Sequence, residues 1–209
     1  MKTVCRFVLG VVATVVLYFS AVANAADAGT VRLLMQTSEG PIEIELYADR
    51  APLTVANFLA YVDGGHYDGA TFYRTVTFEN DKGKPWIEVI QGGIGDAQPA
   101  FPPIAHESTA KTGLTHEDGT LSMARGDVGT AAAEFFICIG AQPGLDHGAM
   151  RNPDGQGFAA FGRVTRGMDT VRRIHLSDAS APSETPYTEG QLLSAPVKIT
   201  SVVRLETSD

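Results

Sequence analysis

From residue 31 onward, apolar positions fall into short runs broken by Gly, Pro, Asp and Ser. Ile42, Ile44 and Leu46 alternate with Glu43 and Glu45, the period-two pattern of a strand with one face in water. A similar run, 31–36, precedes it across the turn-rich break TSEGP. Pro52 then stands where a helix can begin. Val55, Phe58, Leu59 and Val62 follow at helical spacing, and Gly64-Gly65 ends the run. Strands are predicted at 71–76, 86–91, 121–124, 135–139, 158–164 and 197–205, with a second short helix over 167–175. The Ser, Thr, Pro and acid-rich stretch 176–196 reads as one long surface loop. Many short strands, few helices and frequent turn residues predict a single, mainly β domain of antiparallel sheet. Closing that sheet would remove its exposed edges.

The first 25 residues change the picture of where the chain works. Lys2 and Arg6 form a basic head, no charge follows from Phe7 to Ala26, and the run ends in Ala23-Asn24-Ala25. That is the pattern of a cleaved export signal, although the uncharged stretch is nearly long enough to span a bilayer. The expected organisation is therefore a signal peptide at 1–25, a short segment at 26–30 and one domain at 31–209. The product is expected to be exported, in the simplest case to the periplasm and otherwise to the medium.

Cleavage removes two basic residues and takes the formal charge from −8 to −10, with 14 basic against 24 acidic residues left. Such a surface repels phosphate backbones and anionic lipid, so no nucleic acid and no stable membrane association are expected. Cys5 leaves with the signal and Cys138 is left without a partner, in an apolar run that suits a buried, inert thiol. None of the five histidines has a second His at metal-ligand spacing, and no P-loop, Rossmann or nucleophile-elbow string is present. Metal, nucleotide and acyl-transfer chemistry therefore have no motif to rest on.

Three segments, in order, carry a family resemblance. FYRTV at 72–76 leads to VIQGG at 89–93; GTLSMARG at 119–126 leads to EFFICIG at 134–140; GLDHG at 144–148 precedes FAAFGRVTRGMDTVRRI at 158–174. Together with SEGPIEIELYADRAP and TVANFLAYVDGG upstream, they resemble the successive motifs of the cyclophilin-type peptidyl-prolyl cis–trans isomerases. The resemblance covers about residues 31–205. It implies an eight-stranded closed antiparallel β-barrel with a capping α-helix over each end, and an external groove that takes an extended Xaa-Pro segment. It implies no metal and no cofactor, and proline-containing polypeptides as partners of a monomer.

By the same resemblance, Arg74 is the isomerase arginine and Gln91 the groove glutamine. Phe136 and Leu145 are pocket residues with Val89, Ala124 is the backbone-contacting alanine, and Arg125, Glu134 and Phe158 complete the substrate-binding set. These residue types suit the reaction. An Xaa-Pro bond rotates over a barrier of roughly 18–20 kcal/mol while its end states differ by only about 0.5–1 kcal/mol. A catalyst has only to bind the twisted amide better than either planar form. Twisting returns a lone pair to the imide nitrogen, and a fixed, permanently charged guanidinium can donate to it.

Four departures from the family pattern set questions for the structure. An insertion lies between Val76 and Val89 and leaves Phe78, Trp86 and Ile87 as candidates for a missing pocket residue. Glu134 stands at a usual glutamine position, where it either neutralises Arg74 or orients it. Gly144 replaces an aromatic residue associated with cyclosporin binding, so weak drug sensitivity is expected. Phe158 stands where many relatives have His. Phe135 and Phe136 must face opposite sides of a strand, and only the resemblance assigns which one enters the groove. The isomerase is the expected function; a proline-segment binding module or chaperone on the same fold is the alternative.

Overall fold

The computed structural model describes residues 29–206. The readings for 1–25, and for all but the last two residues of 26–30, lie outside this range. Eight strands close into an antiparallel barrel: β1 (Thr30–Thr37), β2 (Gly40–Tyr47), β3 (Thr71–Val76), β4 (Val89–Gly93), β5 (Thr120–Met123), β6 (Phe135–Cys138), β7 (Ala159–Arg166) and β8 (Leu192–Arg204). The order around the barrel is β1-β2-β7-β5-β6-β4-β3-β8, and β1 pairs with both β2 and β8 to complete the ring. The helices are α1 (Pro52–Asp63), the single turn α2 (Thr109–Thr112), which the sequence pattern did not announce, and α3 (Met168–His175). Among the described residues no helix is long and apolar enough to cross a membrane.

The interior follows from strand alternation. Ile42, Ile44 and Leu46 point inward and are at most 1% exposed, while Glu43 and Glu45 meet Arg32 and Arg163 on the outside. Phe58 of α1 plugs one end, its ring 5.0–5.4 Å from those of Tyr67, Phe135 and Phe161. The N-terminus of α1 has no cap of its own. Glu107 instead reaches it across 53 residues and accepts the Thr54 N–H at 2.8 Å and the Thr54 hydroxyl at 2.7 Å. A carboxylate at a helix N-terminus satisfies free donors and meets the positive end of the dipole.

Two boundary expectations are corrected. The strand predicted from Trp86 begins only at Val89, because the Asp81 carboxylate takes the Ile87 N–H at 2.9 Å and bends the preceding residues into a folded loop. The surface loop predicted to run to Pro196 ends five residues earlier, where β8 begins at Leu192. Leu193 is 2% exposed and anchors that strand. The register of β3 against β8 jumps between Phe72↔Val197 and Arg74↔Leu192, and Pro196, which has no N–H to give a ladder, falls inside that irregularity.

Candidate active site

A second, smaller apolar cluster lies on the outside of the barrel wall. Val76, Ile87, Val89, Phe136, Cys138 and Leu145 are buried there, with Ala124 and Phe158 against them. The two adjacent phenylalanines divide as strand geometry demands. Phe135 joins the barrel core and Phe136 the outer cluster, its ring 5.4 Å from that of Phe158 and perpendicular to it. The Cys138 thiol lies in this cluster, and burial pushes its pKa well up, so it is an inert packing group.

Over this cluster opens a hollow of about 390 Å³ whose wall includes Arg74, Val89, Gln91, Ala124, Arg125, Phe136, Leu145 and Phe158. Of the nine residues singled out in the sequence, eight therefore face one cavity. Glu134 is the exception. It lines the adjoining depression, which shares Gln91, Ala124 and Arg125 with the hollow. Ile87, from the insertion, is the residue of the three candidates that reaches the hollow; Phe78 and Trp86 are more than half exposed. Gly144 packs against Pro85 of the same insertion, where a side chain would overlap the proline ring.

Arg74 and Gln91 are direct partners across the β3–β4 ladder. The insertion sits at the turn end of this antiparallel pair, so lengthening it leaves the two residues side by side. Arg74 Nη1 donates to Gln91 Oε1 at 2.8 Å, and Nε and Nη2 donate to Gln191 Oε1 at 2.9 and 2.6 Å. Three of its five N–H groups are thus taken, and one remains on each terminal nitrogen. The ring of Tyr187 lies 5.3 Å from the guanidinium carbon and also lines the hollow. Both hydrogen-bond partners are neutral amides, so the charge of Arg74 is held without being cancelled.

Glu134 does neither of the things expected of it directly. Its Oε2 accepts from the Tyr73 hydroxyl at 2.6 Å, and its Oε1 accepts from the Gly95 N–H. Tyr73 accepts in turn from Gln91 Nε2 at 2.7 Å. The acid therefore orients Arg74 only at the end of a relay through Tyr73 and Gln91. A bulge makes this possible: the register between β3 and β4 slips between Phe72 and Arg74, which re-aims neighbouring side chains. Gly93 (φ +151°) supplies the remaining condition, since a Cβ there would strike the Glu134 carboxyl group.

Burial raises the Glu134 pKa, against hydrogen bonds from Tyr73, Gly95 and Ile94 that lower it. An acid raised on folding favours the folded state below the pKa of the unfolded chain, and that contribution is lost as pH rises through the folded value. Glu134→Gln is therefore expected to melt above the parent at pH 7–8, the gap closing towards about pH 4, near the unperturbed glutamate value. Its kcat/KM should stay within about threefold, because Arg74 keeps its own partners. Melting curves across pH and one isomerase assay check both; a large loss of activity would make Glu134 a working part of the site.

Arg125 faces the hollow, but its guanidinium is committed. It pairs in two-pronged fashion with Asp154 at 2.7 and 3.0 Å and donates to the Gly157 carbonyl. Those bonds hold the Asp154 carboxyl down to about 2. The Ala124 N–H donates to the Glu134 carbonyl at 2.9 Å, so a backbone contact from Ala124 to a docked chain must use its carbonyl. Beneath Phe136, His116 bonds Asp146 at 2.7 Å and Ser122 at 2.9 Å. This is the order of a hydrolase triad, which no sequence motif supported. Ser122 is completely buried, however, and His116 stacks under the Phe136 ring. No substrate reaches that serine, and the trio supports the floor of the hollow.

The family profile described as cyclophilin type peptidyl-prolyl cis-trans isomerase/CLD matches residues 32–203. The chain belongs to this family. It is 40% identical to a peptidyl-prolyl cis-trans isomerase of Streptomyces antibioticus, over 67% of this chain and 80% of that protein. It is 33% identical to peptidyl-prolyl cis-trans isomerase A of Dickeya dadantii, over 87% and 89%. A cyclophilin type isomerase of Cryptosporidium parvum superposes with a TM-score of 0.64 at 20% identity, over 86% of this chain and 99% of that one, and shares the fold. The activity of this cyclophilin is peptidyl-prolyl cis–trans isomerisation. The motive for a binder without turnover, a carboxylate cancelling Arg74, is not met: no described carboxylate pairs with Arg74, and the insertion contributes Ile87 to the hollow instead of blocking it.

The sequence reading missed Tyr187, Gln191, Arg151 and Asn152. Three of them line the hollow, and Gln191 holds Arg74 from behind. The adjacent Leu192 and Leu193, apolar in a polar stretch, were the available sign that the supposed loop had already re-entered the barrel.

Proposed function

We propose that this cyclophilin accelerates Xaa-Pro rotation in polypeptides that fold after export, working as a soluble periplasmic monomer on proline-containing chains. The observation that carries the catalytic part is a guanidinium held by two neutral glutamines at the edge of an apolar hollow. Val89, Phe136, Leu145 and Ile87 would enclose the proline ring, and the two uncommitted N–H groups of Arg74 would meet the imide nitrogen as it leaves the amide plane. The donor is aimed at charge that develops only in the twisted state, so it lowers the barrier without tightening ground-state binding. Water need not be activated and no proton has to be transferred.

Export rests on the basic head, the uncharged run and the Ala-Asn-Ala ending. Proline isomerisation takes tens to hundreds of seconds unaided, slow enough to limit folding of newly exported chains. Two measurements test the proposal. Protein recovered from the periplasmic fraction should begin at Ala26 by N-terminal sequencing. The same material should accelerate refolding of an exported protein whose slow phase is proline-limited. Recovery only in the cytosol with residues 1–25 intact would sink the exported role and leave the isomerase reading standing.

A further inference from the structure

Two segments of this cyclophilin that look like surface in the sequence, the 77–88 insertion and the loop before β8, meet behind Arg74. They converge on Gln191. Its side chain is fully buried, although it comes from a stretch of Ser, Thr, Glu and Gly. Oε1 accepts two of the three hydrogen bonds that Arg74 makes, and Nε2 donates to the Asn80 carbonyl at 2.8 Å. Asn80 is itself fixed from the other side. Its Nδ2 donates to the Gly190 carbonyl at 2.9 Å and its Oδ1 accepts the Thr77 N–H at 2.8 Å. The Thr75 N–H donates to the Gln191 carbonyl at 2.9 Å, which ties the residue after Arg74 to the same point.

This arrangement leaves Gln191 one role. Its amide cannot turn over, because the NH₂ group would then face the guanidinium donors and the oxygen would face the Asn80 carbonyl. It does not line the hollow, so it cannot touch a bound proline. Its acceptor is neutral, so it takes up the freedom of a long, flexible side chain without cancelling the charge. Deprived of it, Arg74 would keep only the Nη1 bond to Gln91 and could pivot about that contact.

We propose that Gln191 is a positioning residue for the isomerisation, fixing the Arg74 guanidinium at the angle from which it meets the twisted amide. The proposal rests on Arg74 being the group that acts on that amide. Gln191→Met keeps the length and removes the acceptor; Gln191→Asn keeps the amide and withdraws it by one methylene. Each is compared with the parent and with Arg74→Ala by NMR exchange on an Ala-Pro peptide, by titration of the same peptide for Kd, and by the exchange rate of the Arg74 Nε–H proton.

Both Gln191 variants should lose about tenfold or more in kcat, the scale of a misplaced catalytic group, with peptide Kd changed by no more than about twofold since the hollow is untouched. Their Arg74 Nε–H should exchange faster than in the parent. If one variant fails to fold, the other carries the test. Parent-like kcat in a folded Gln191 variant, with Arg74→Ala impaired, overturns the positioning role alone. Parent-like kcat in all of them overturns the reading of Arg74 as well. A fall in kcat matched by an equal rise in Kd would show Gln191 acting through the shape of the hollow, and also overturns the proposal.

Discussion

Arg74→Ala is expected to lower kcat/KM of the cyclophilin on an Xaa-Pro peptide by about 10²–10³, the range seen when one preorganised donor is removed from a catalytic site. That corresponds to about 2.7–4 kcal/mol of lost stabilisation of the twisted amide. The peptide itself should still bind, because Val89, Phe136 and Leu145, which would enclose the proline, are unchanged. The loss must therefore fall on kcat. Arg74→Lys should restore little of it. An ammonium carries the charge but not the planar fork that spans Gln91 on one side and Gln191 on the other. Exchange spectroscopy at saturating peptide measures kcat directly, and titration gives Kd. An alanine variant with unchanged kcat would remove the guanidinium from the mechanism. One that lost kcat and binding together would make Arg74 part of the grip instead of the catalyst.

How much of this was legible beforehand depends on the reach of each interaction. The alternation of Ile42, Ile44 and Leu46 with two glutamates is a local pattern, and it gave the inward face of β2 correctly. The helix from Pro52 to Asp63 was bracketed by Pro52 and Gly64-Gly65, and both boundaries hold. Arg74 and Gln91 stood out through ordered motifs, and as cross-strand partners they are close whatever the intervening turn contains. Gln191 is 117 residues from Arg74 in sequence. A lone glutamine among Ser, Thr and Glu has no periodicity, so nothing local distinguishes the one whose amide is buried. Tyr187 and Arg151 fail for the same reason: each belongs to the site only because separate loops are folded onto one another. Glu134 was singled out as a carboxylate beside Arg74, but it is linked to Arg74 only through Tyr73 and Gln91. Its actual partner, Tyr73, was hidden by a bulge that no alternation pattern reveals.

The insertion offers the other large effect, on stability, through Asp81 and Arg151. Their side chains are 0% and 4% exposed and meet through both guanidinium nitrogens at 2.7 Å. Asp81 also accepts the Gly83 and Ile87 N–H groups at 2.9 Å, and Arg151 donates to the Pro85 carbonyl and the Tyr187 hydroxyl. The pair thus binds the insertion to the 141–157 loop and to the segment carrying Tyr187. Burial raises the Asp81 pKa, but the Arg151 and backbone hydrogen bonds outweigh it and hold the carboxyl below its ordinary value. An acid lowered on folding stabilises the fold above its unfolded pKa, about 3.9, and that contribution is lost as pH falls through the folded value. Asp81→Ala strands a buried guanidinium and is expected to cost about 3–5 kcal/mol at pH 7, the usual penalty for breaking a buried pair. Ile87 would lose its anchor, so KM should rise; on the proposed role of Arg74, whose own hydrogen bonds are untouched, kcat should change little. Adding Arg151→Leu should return only part of the lost stability: it removes the stranded charge, but the Gly83 and Ile87 N–H groups and the Pro85 carbonyl still lack the partners the pair gave them. Urea unfolding of both single variants and the double variant, at pH 7 and below pH 4, closes the cycle. Single variants within about 0.5 kcal/mol of the parent, the range of ordinary surface changes, would show that the insertion is held by something other than this pair.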